Sequence, residues 1–230
     1  MSRVRRIAAL AAAMAKQSAG PLIASLALLL VLAASAAAQV ASLAGTYDGG
    51  QMEIAAGLEL KADGRFRYAL SYGALDEEAA GSWRLSGDRV LLTSDPVTPP
   101  RFVLVSRGQA PPGILQLSLD VPKGLSRQYF DADITTRDGA THRRQFAEEG
   151  LSVPFSGDDA PISVRLVLPV FGVVGEPVTL DASTGYAVRL RFEPHDIGKV
   201  DFRATPMTVS NGALVLERHG RMIRFRRSGR

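Results

Sequence analysis

Cysteine is absent from the chain. That excludes disulfide staples, thiolate metal sites and lipid attachment through a lipobox thiol. Histidine is nearly absent too: His142, His195 and His219 are the whole set, and none lies three or four residues from another. That spacing gives no metal-binding pair on one face of a helix or strand. Lysine is scarce after the first forty residues, with only Lys61, Lys123 and Lys199, so the cationic surface is almost entirely arginine. Beyond the N-terminal segment no stretch carries a helical apolar period, and no repeat of fixed length recurs.

The N-terminal segment stands apart. Arg3, Arg5, Arg6 and Lys16 precede an uncharged apolar run from Pro21, and Ala36-Ala37-Ala38 offers an A-x-A site before Gln39. Basic start, apolar middle and small-residue end define a secretory signal, read here as residues 1–38 with cleavage near Ala38. A retained anchor is the other reading, since the run approaches the minimum length for a membrane span. The expected address is the bacterial periplasm or exterior, with membrane contact only through this segment. Four of the 27 basic residues lie in the segment and none of the 23 acidic ones, leaving 23 against 23 in the mature chain. The basic character of the full sequence is therefore no argument for a nucleic-acid partner.

The stretch 50–93 organises the mature chain. Ile54, Leu58 and Leu60, preceded by Met52, run up to Asp63-Gly64, and Phe66, Tyr68, Leu70 and Tyr72 continue beyond it with Arg65, Arg67 and Ser71 between. Alternation with period two, broken by Asp-Gly, predicts antiparallel strands joined by a hairpin. The segment from Gly73 to Ala79, with Asp76, Glu77 and Glu78, reads as a connection with one helical turn. Strands then recur at Ser82–Leu85, Arg89–Thr93 and Arg101–Val105. A second composition begins near Arg107. Leu115–Val121, Phe130–Thr135 and Ile162–Leu168 alternate around turn material such as Asp138-Gly139, suggesting a small sandwich. Val188, Leu190 and Phe192, then Val200 and Phe202, then Leu214–Leu216 and Arg221–Arg227 about Asn211-Gly212 complete the pattern. The fold class is all-β, an antiparallel barrel or meander with a sandwich-like block in the middle.

A first strand opening Gly45-Thr46-Tyr47 and a last strand carrying Arg224 and Arg226 resemble the lipocalin (calycin) group. There a Gly-x-Trp packs under an arginine of the final strand; here Tyr47 stands in place of the Trp. The resemblance spans Gly45 to Val105 and Ala213 to Arg227. It implies a lipocalin-like barrel in two parts, residues 39–106 and 185–230, around an inserted block, 107–184, that is similar to immunoglobulin- or transthyretin-like modules. It further implies a small apolar ligand. Two consecutive β domains dividing near residue 107 are the rival arrangement.

Chemical motifs are few. Ser71 within Ala69–Gly73 sits on the polar face of a strand rather than on a strand-to-helix turn, against a nucleophile role. Asp131, Asp133 and Asp138 lack the glycine and terminal acid of a calcium loop. His195-Asp196, after Pro194, is the one pair whose turn could aim both groups into a cleft, the basis for a hydrolase alternative. No cofactor, metal site or catalytic residue is assigned. The aromatic set Tyr47, Phe66, Tyr68, Tyr72 and Trp83 is the candidate lining of a ligand pocket. Arg65, Arg67, Arg224 and Arg226 form the candidate surface for an anionic envelope polymer, together with Arg189 and Arg191 if all share one sheet. The resulting expectation is an exported, non-catalytic binding protein. An envelope interaction module working through the arginine face is the further alternative.

Overall fold

The computed structural model describes residues 42–229; the signal segment and its cleavage site lie outside them. Within them the chain is all-β. Its first five strands are β1 (Gly45–Asp48), β2 (Ile54–Leu60), β3 (Arg65–Tyr72), β4 (Leu75–Ser86) and β5 (Arg89–Ser94). The middle strands are β6 (Arg101–Gly108), β7 (Ile114–Asp120), β8 (Asp131–Thr136), β9 (Thr141–Gln145), β10 (Leu151–Pro154) and β11 (Pro161–Leu168), followed by the short β12 (Val173–Val174) and β13 (Val178–Thr179) and by β14 (Ala187–Glu193). The last three are β15 (Thr205–Ser210), β16 (Ala213–Arg218) and β17 (Arg221–Arg227).

Eight of these strands close a fully antiparallel barrel in the order β1-β17-β16-β15-β5-β4-β3-β2. Alternation drives the closure, because each strand sends its apolar parity inward and its charged parity out. Phe66, Tyr68 and Leu70 of β3 are buried while Arg65, Arg67 and Ala69 are exposed. The late hairpin turns obey their sequence signals. Asn211-Gly212 and His219-Gly220 each supply two residues of positive φ between strands that pair directly across them, the geometry a two-residue type I′ turn requires. At Asp63-Gly64 only the glycine has positive φ, so that hairpin closes through a longer loop.

The segment after Tyr72 departs from the helical turn expected for it. Tyr72 pairs with Leu75 across Gly73-Ala74, and β4 runs without a break from Leu75 to Ser86. Asp76, Glu77 and Glu78 are therefore strand residues. β4 outruns β5, which pairs with it only from Gly81 onward. The earlier half of β4 is covered instead by the returning connection: Glu78 N–H donates to the Gly198 carbonyl at 2.9 Å, and Val200 N–H to the Glu78 carbonyl at 2.8 Å. Ser94 fastens the far end, its hydroxyl donating to the Val200 carbonyl and accepting from Phe202 N–H. Residues 198–202 thus patch the barrel wall, with Val200 and Phe202 turned into the barrel core. Gly81 marks the junction. A Cβ there would lie 2.1 Å from the Thr93 carbonyl oxygen, so only glycine lets the two strands approach.

The insert is a two-sheet sandwich. One sheet runs β10-β7-β14-β6, the other β12-β11-β8-β9 with β13 also on β11. The sequence pattern assigns β6 and β14 to the barrel; both belong to the sandwich, where Arg101 faces Glu193 at one end of their pairing. Alternation reveals which side of a strand is buried, not which sheet receives it, and Val188, Leu190 and Phe192 suit either. β14 also pairs in parallel with β7, which makes this sheet mixed. In β11 a register shift between Pro161 and Ser163 turns Ile162 outward against its expected parity.

Candidate functional site

Alternation traced backwards along β4 from Trp83 passes Gly81 and Ala79 and arrives at Glu77, so a carboxylate occupies an inward position at the barrel mouth. β16 does the same with Leu214, Leu216 and then Arg218. Arg218 grips Glu77 with two bonds, Nη2 to Oε1 at 2.6 Å and Nε to Oε2 at 3.0 Å. His219, in the left-handed turn conformation, brings Nε2 to 2.9 Å from Oε1. The Tyr68 hydroxyl approaches Oε2 from below at 3.4 Å, and the Phe202 ring lies under the guanidinium. Glu77 retains 7% side-chain exposure against 30% for Arg218. The carboxylate is thus enclosed and its cation half open to solvent. Among the described residues no buried side-chain nitrogen or oxygen lacks a partner, so the network is fully satisfied.

Burial, reinforced by the Glu77 charge, holds the Tyr68 phenol well above its ordinary value, and burial acts on Tyr47 in the same direction. A raised phenol contributes stability that is complete below the unfolded tyrosine value of about 10 and is lost as pH rises beyond it. Between about pH 9 and pH 11 the parent protein is therefore expected to lose more stability than Tyr68→Phe, read as urea midpoints. Equal losses in the two proteins would contradict a buried neutral phenol.

Above this cluster the barrel mouth meets the sandwich. A cleft of about 510 Å3 opens between them, with Leu75, Pro99, Phe171 and Ile197 on its walls and Arg218 and His219 at its base. Lys199 and Asp196, paired at 2.6 Å, sit on its rim. The lining is mixed, with apolar walls and the charged groups Glu77, Arg218, His219, Asp196 and Lys199 converging on it, and a concave site with convergent polar groups is a common ligand geometry. Among the described residues no group of three or more imidazole and carboxylate side chains is placed to hold a metal ion.

The residues singled out from sequence fall in several places. Phe66, Tyr68 and Trp83 are buried in the barrel, where Phe202 meets Tyr68 edge-on at 5.2 Å and Phe66 at 6.1 Å. All three belong to the buried core cluster of the barrel, which Val200 and Phe202 of the connection join. Tyr47 is buried at the opposite end, donating to the Leu43 carbonyl. Its arginine partner is Arg227, directly opposite in register and 5.8 Å over the ring, not Arg224 or Arg226. Parity gives the reason: Ile223 and Phe225 point inward, so 227 shares their side while 224 and 226 face out. Tyr72 stands at the mouth under Arg221.

The arginines do not assemble into one patch. Arg65 is tied to Asp95. Arg67 has Glu59 beside it across the strands and faces an outer groove of about 550 Å3 whose floor includes Gly57, Ala69 and Ala80. Arg226 lies opposite Asp48 on the far side of β1 and β2. Arg189 and Arg191 are on the sandwich, where Asp120 and Glu193 engage them. His195 and Asp196 serve the connection: Asp196 accepts from Thr98 N–H and Lys199, and the His195 ring lies 3.4 Å from Glu193. Sequence reasoning does not find Glu77, Arg218 and His219 as a group. Their signal is present in the parity of two strands 141 residues apart, but which strand ends meet is a property of barrel closure.

Compared with known proteins, the chain matches no family model, no curated protein and no solved structure. Function therefore has to be read from this geometry.

Proposed function

We propose that this is an exported, non-catalytic binding protein on a lipocalin-like barrel, whose ligand seat is the cleft between the barrel mouth and the inserted sandwich. The observation that carries the reading is the placement of the Glu77–Arg218–His219 network at the base of that cleft. Arg218 keeps part of its guanidinium accessible, and His219 presents an imidazole edge. A small molecule with an apolar body and one polar group able to meet these donors fits the lining. The Arg227–Tyr47 pair at the opposite end supports the lipocalin-like comparison, and it caps the barrel so that access favours the mouth.

The test is native against denaturing mass spectrometry of the mature protein recovered from a periplasmic fraction. A bound molecule released on denaturation is expected. It should be lost in Val174→Trp, which crowds the cleft from an exposed position of its lining. It should persist in Gly57→Trp, which fills the outer groove where an added side chain meets nothing within 4 Å. An unliganded parent, or an adduct indifferent to Val174→Trp, removes the cleft as the seat.

A further inference from the structure

A third pocket lies in the sandwich, and it starts from a breach of pattern. β9 is an edge strand paired only with β8. Its Arg144 stands opposite Ala132 and its His142 opposite Ile134, and both of those partners are buried in the sandwich core. Residues directly opposite in a sheet share a face. Arg144 and His142 therefore occupy the core-facing side of the edge, where apolar side chains would close the sandwich. In the facing sheet β10 is likewise an edge, its Val153 opposite Leu115. The two edges do not seal. A pocket of about 250 Å3 remains between them, with Leu115, Ile134, Val153 and Phe155 inside and His142 and Arg144 at the lip.

The charges at the lip are unequally satisfied. The neighbouring Arg143, on the outer face, is held by Asp133 at 2.7 and 2.8 Å. Arg144 donates to the Arg143 carbonyl at 3.0 Å and, unlike nine other arginines of the described chain, forms no ion pair. Two acids are nearby. Asp159 lines the rim. Asp138 spends its Oδ1 on the Thr136 hydroxyl and Ala140 N–H. An apolar interior with an unpaired guanidinium at its mouth is complementary to an amphiphile with one anionic head.

We propose that this sandwich pocket binds a short-chain carboxylate, its hydrocarbon tail between the two sheets and its head on Arg144 beside His142. The volume sets the size: it falls below the ~300–1,000 Å3 of drug-sized sites, enough for one short chain and not for a two-chain lipid. The planar, forked guanidinium matches a carboxylate through two parallel bonds.

The experiment is an amide-resolved NMR titration of the mature chain with butanoate, hexanoate and octanoate, with octylammonium and hexylphosphonate as comparators. Resonances of His142, Arg144, Val153 and Phe155 are expected to move. Affinity should rise by about fourfold per added methylene, the transfer value for a buried CH2, and stop rising when the pocket is full. Arg144→Gln should weaken octanoate by tenfold or more, Arg144→Lys less, and Val174→Trp at the barrel cleft not at all. Arg144 is exposed, so both substitutions leave the core untouched. Equal binding of octylammonium overturns the proposal, as do an unchanged Arg144→Gln affinity and shifts confined to the barrel cleft. Tighter binding of hexylphosphonate than of hexanoate overturns the carboxylate assignment.

Discussion

Phe202→Ala is expected to lower stability by about 3–5 kcal/mol, the range for truncating a buried phenylalanine. Against the ~5–15 kcal/mol that holds a typical domain together, that is enough to unfold a large part of the population. Its size is unusual for a residue outside any strand. Connections ordinarily run over the surface and tolerate substitution. Phe202 belongs to the barrel core instead, with its ring between Tyr68 and Phe66 and beneath Arg218, and its N–H fixed by Ser94. Truncation opens a void among aromatic rings that cannot collapse onto it and removes the apolar floor of the Glu77 network. Denaturant unfolding of Phe202→Ala beside Arg203→Ala measures this. Arg203 is exposed and paired only with Asp201, and its loss should fall within about 0.5 kcal/mol of the parent. Similar shifts in the two variants would mean that residues 198–202 are a passive connection.

Glu77→Leu should cost about 2–4 kcal/mol. Removing one partner of a buried pair leaves the other charge uncompensated, at about 3–5 kcal/mol when both are enclosed. The half-open position of Arg218 lets water recover part of that. The discriminating variant is the double one, Glu77→Leu with Arg218→Met. Replacing a buried ion pair by apolar residues of similar volume is often neutral or stabilising. The double variant is therefore expected to recover most of the loss, and the cycle should give a coupling above about 1 kcal/mol. Losses that simply add would show that the two groups act independently and that the short Arg218–Glu77 contacts carry no energy. If the double variant is as stable as the parent yet copurifies with no ligand, the pair is retained for binding rather than for folding.

Most of the architecture is legible in the sequence because it rests on period two. Phe66, Tyr68 and Leu70 declare their face, as do Leu115, Leu117 and Leu119, and Asn211-Gly212 declares its turn. Three kinds of information are not local. Sheet membership is one: β6 and β14 alternate like barrel strands but pair with each other, and β14 also pairs with β7. Strand against loop is another. Asp76, Glu77 and Glu78 read as a solvated acidic loop, because the partner that makes Glu77 tolerable inside the barrel lies at Arg218, at the other end of the chain. The third is the meaning of an arginine at a strand end. Arg224 and Arg226 look equivalent to Arg227 in composition, and only the parity of Ile223 and Phe225 separates the residue that caps Tyr47 from those that face water. The cleft is illegible altogether, since its walls come from the mouth strands, the proline-rich exit at Pro99-Pro100 and a 3-10 turn at Pro169–Phe171.

The neighbouring positions of Arg101 and Glu193, where the chain enters and leaves the sandwich, bear on the order of assembly. Pairing β5 with β15 in an otherwise unfolded chain closes a loop of about 110 residues. If the sandwich forms first, its two ends are already side by side, and the free connection shrinks to about 17 residues. At (3/2)RT ln n, that relieves the closing step of about 1.5–2 kcal/mol of chain entropy. Residue 47 must still find residue 227, a separation that slows folding. The insert therefore acts as an internal clamp during maturation: a late-arriving half of the barrel is delivered next to the early half by a unit that shares no strand with either.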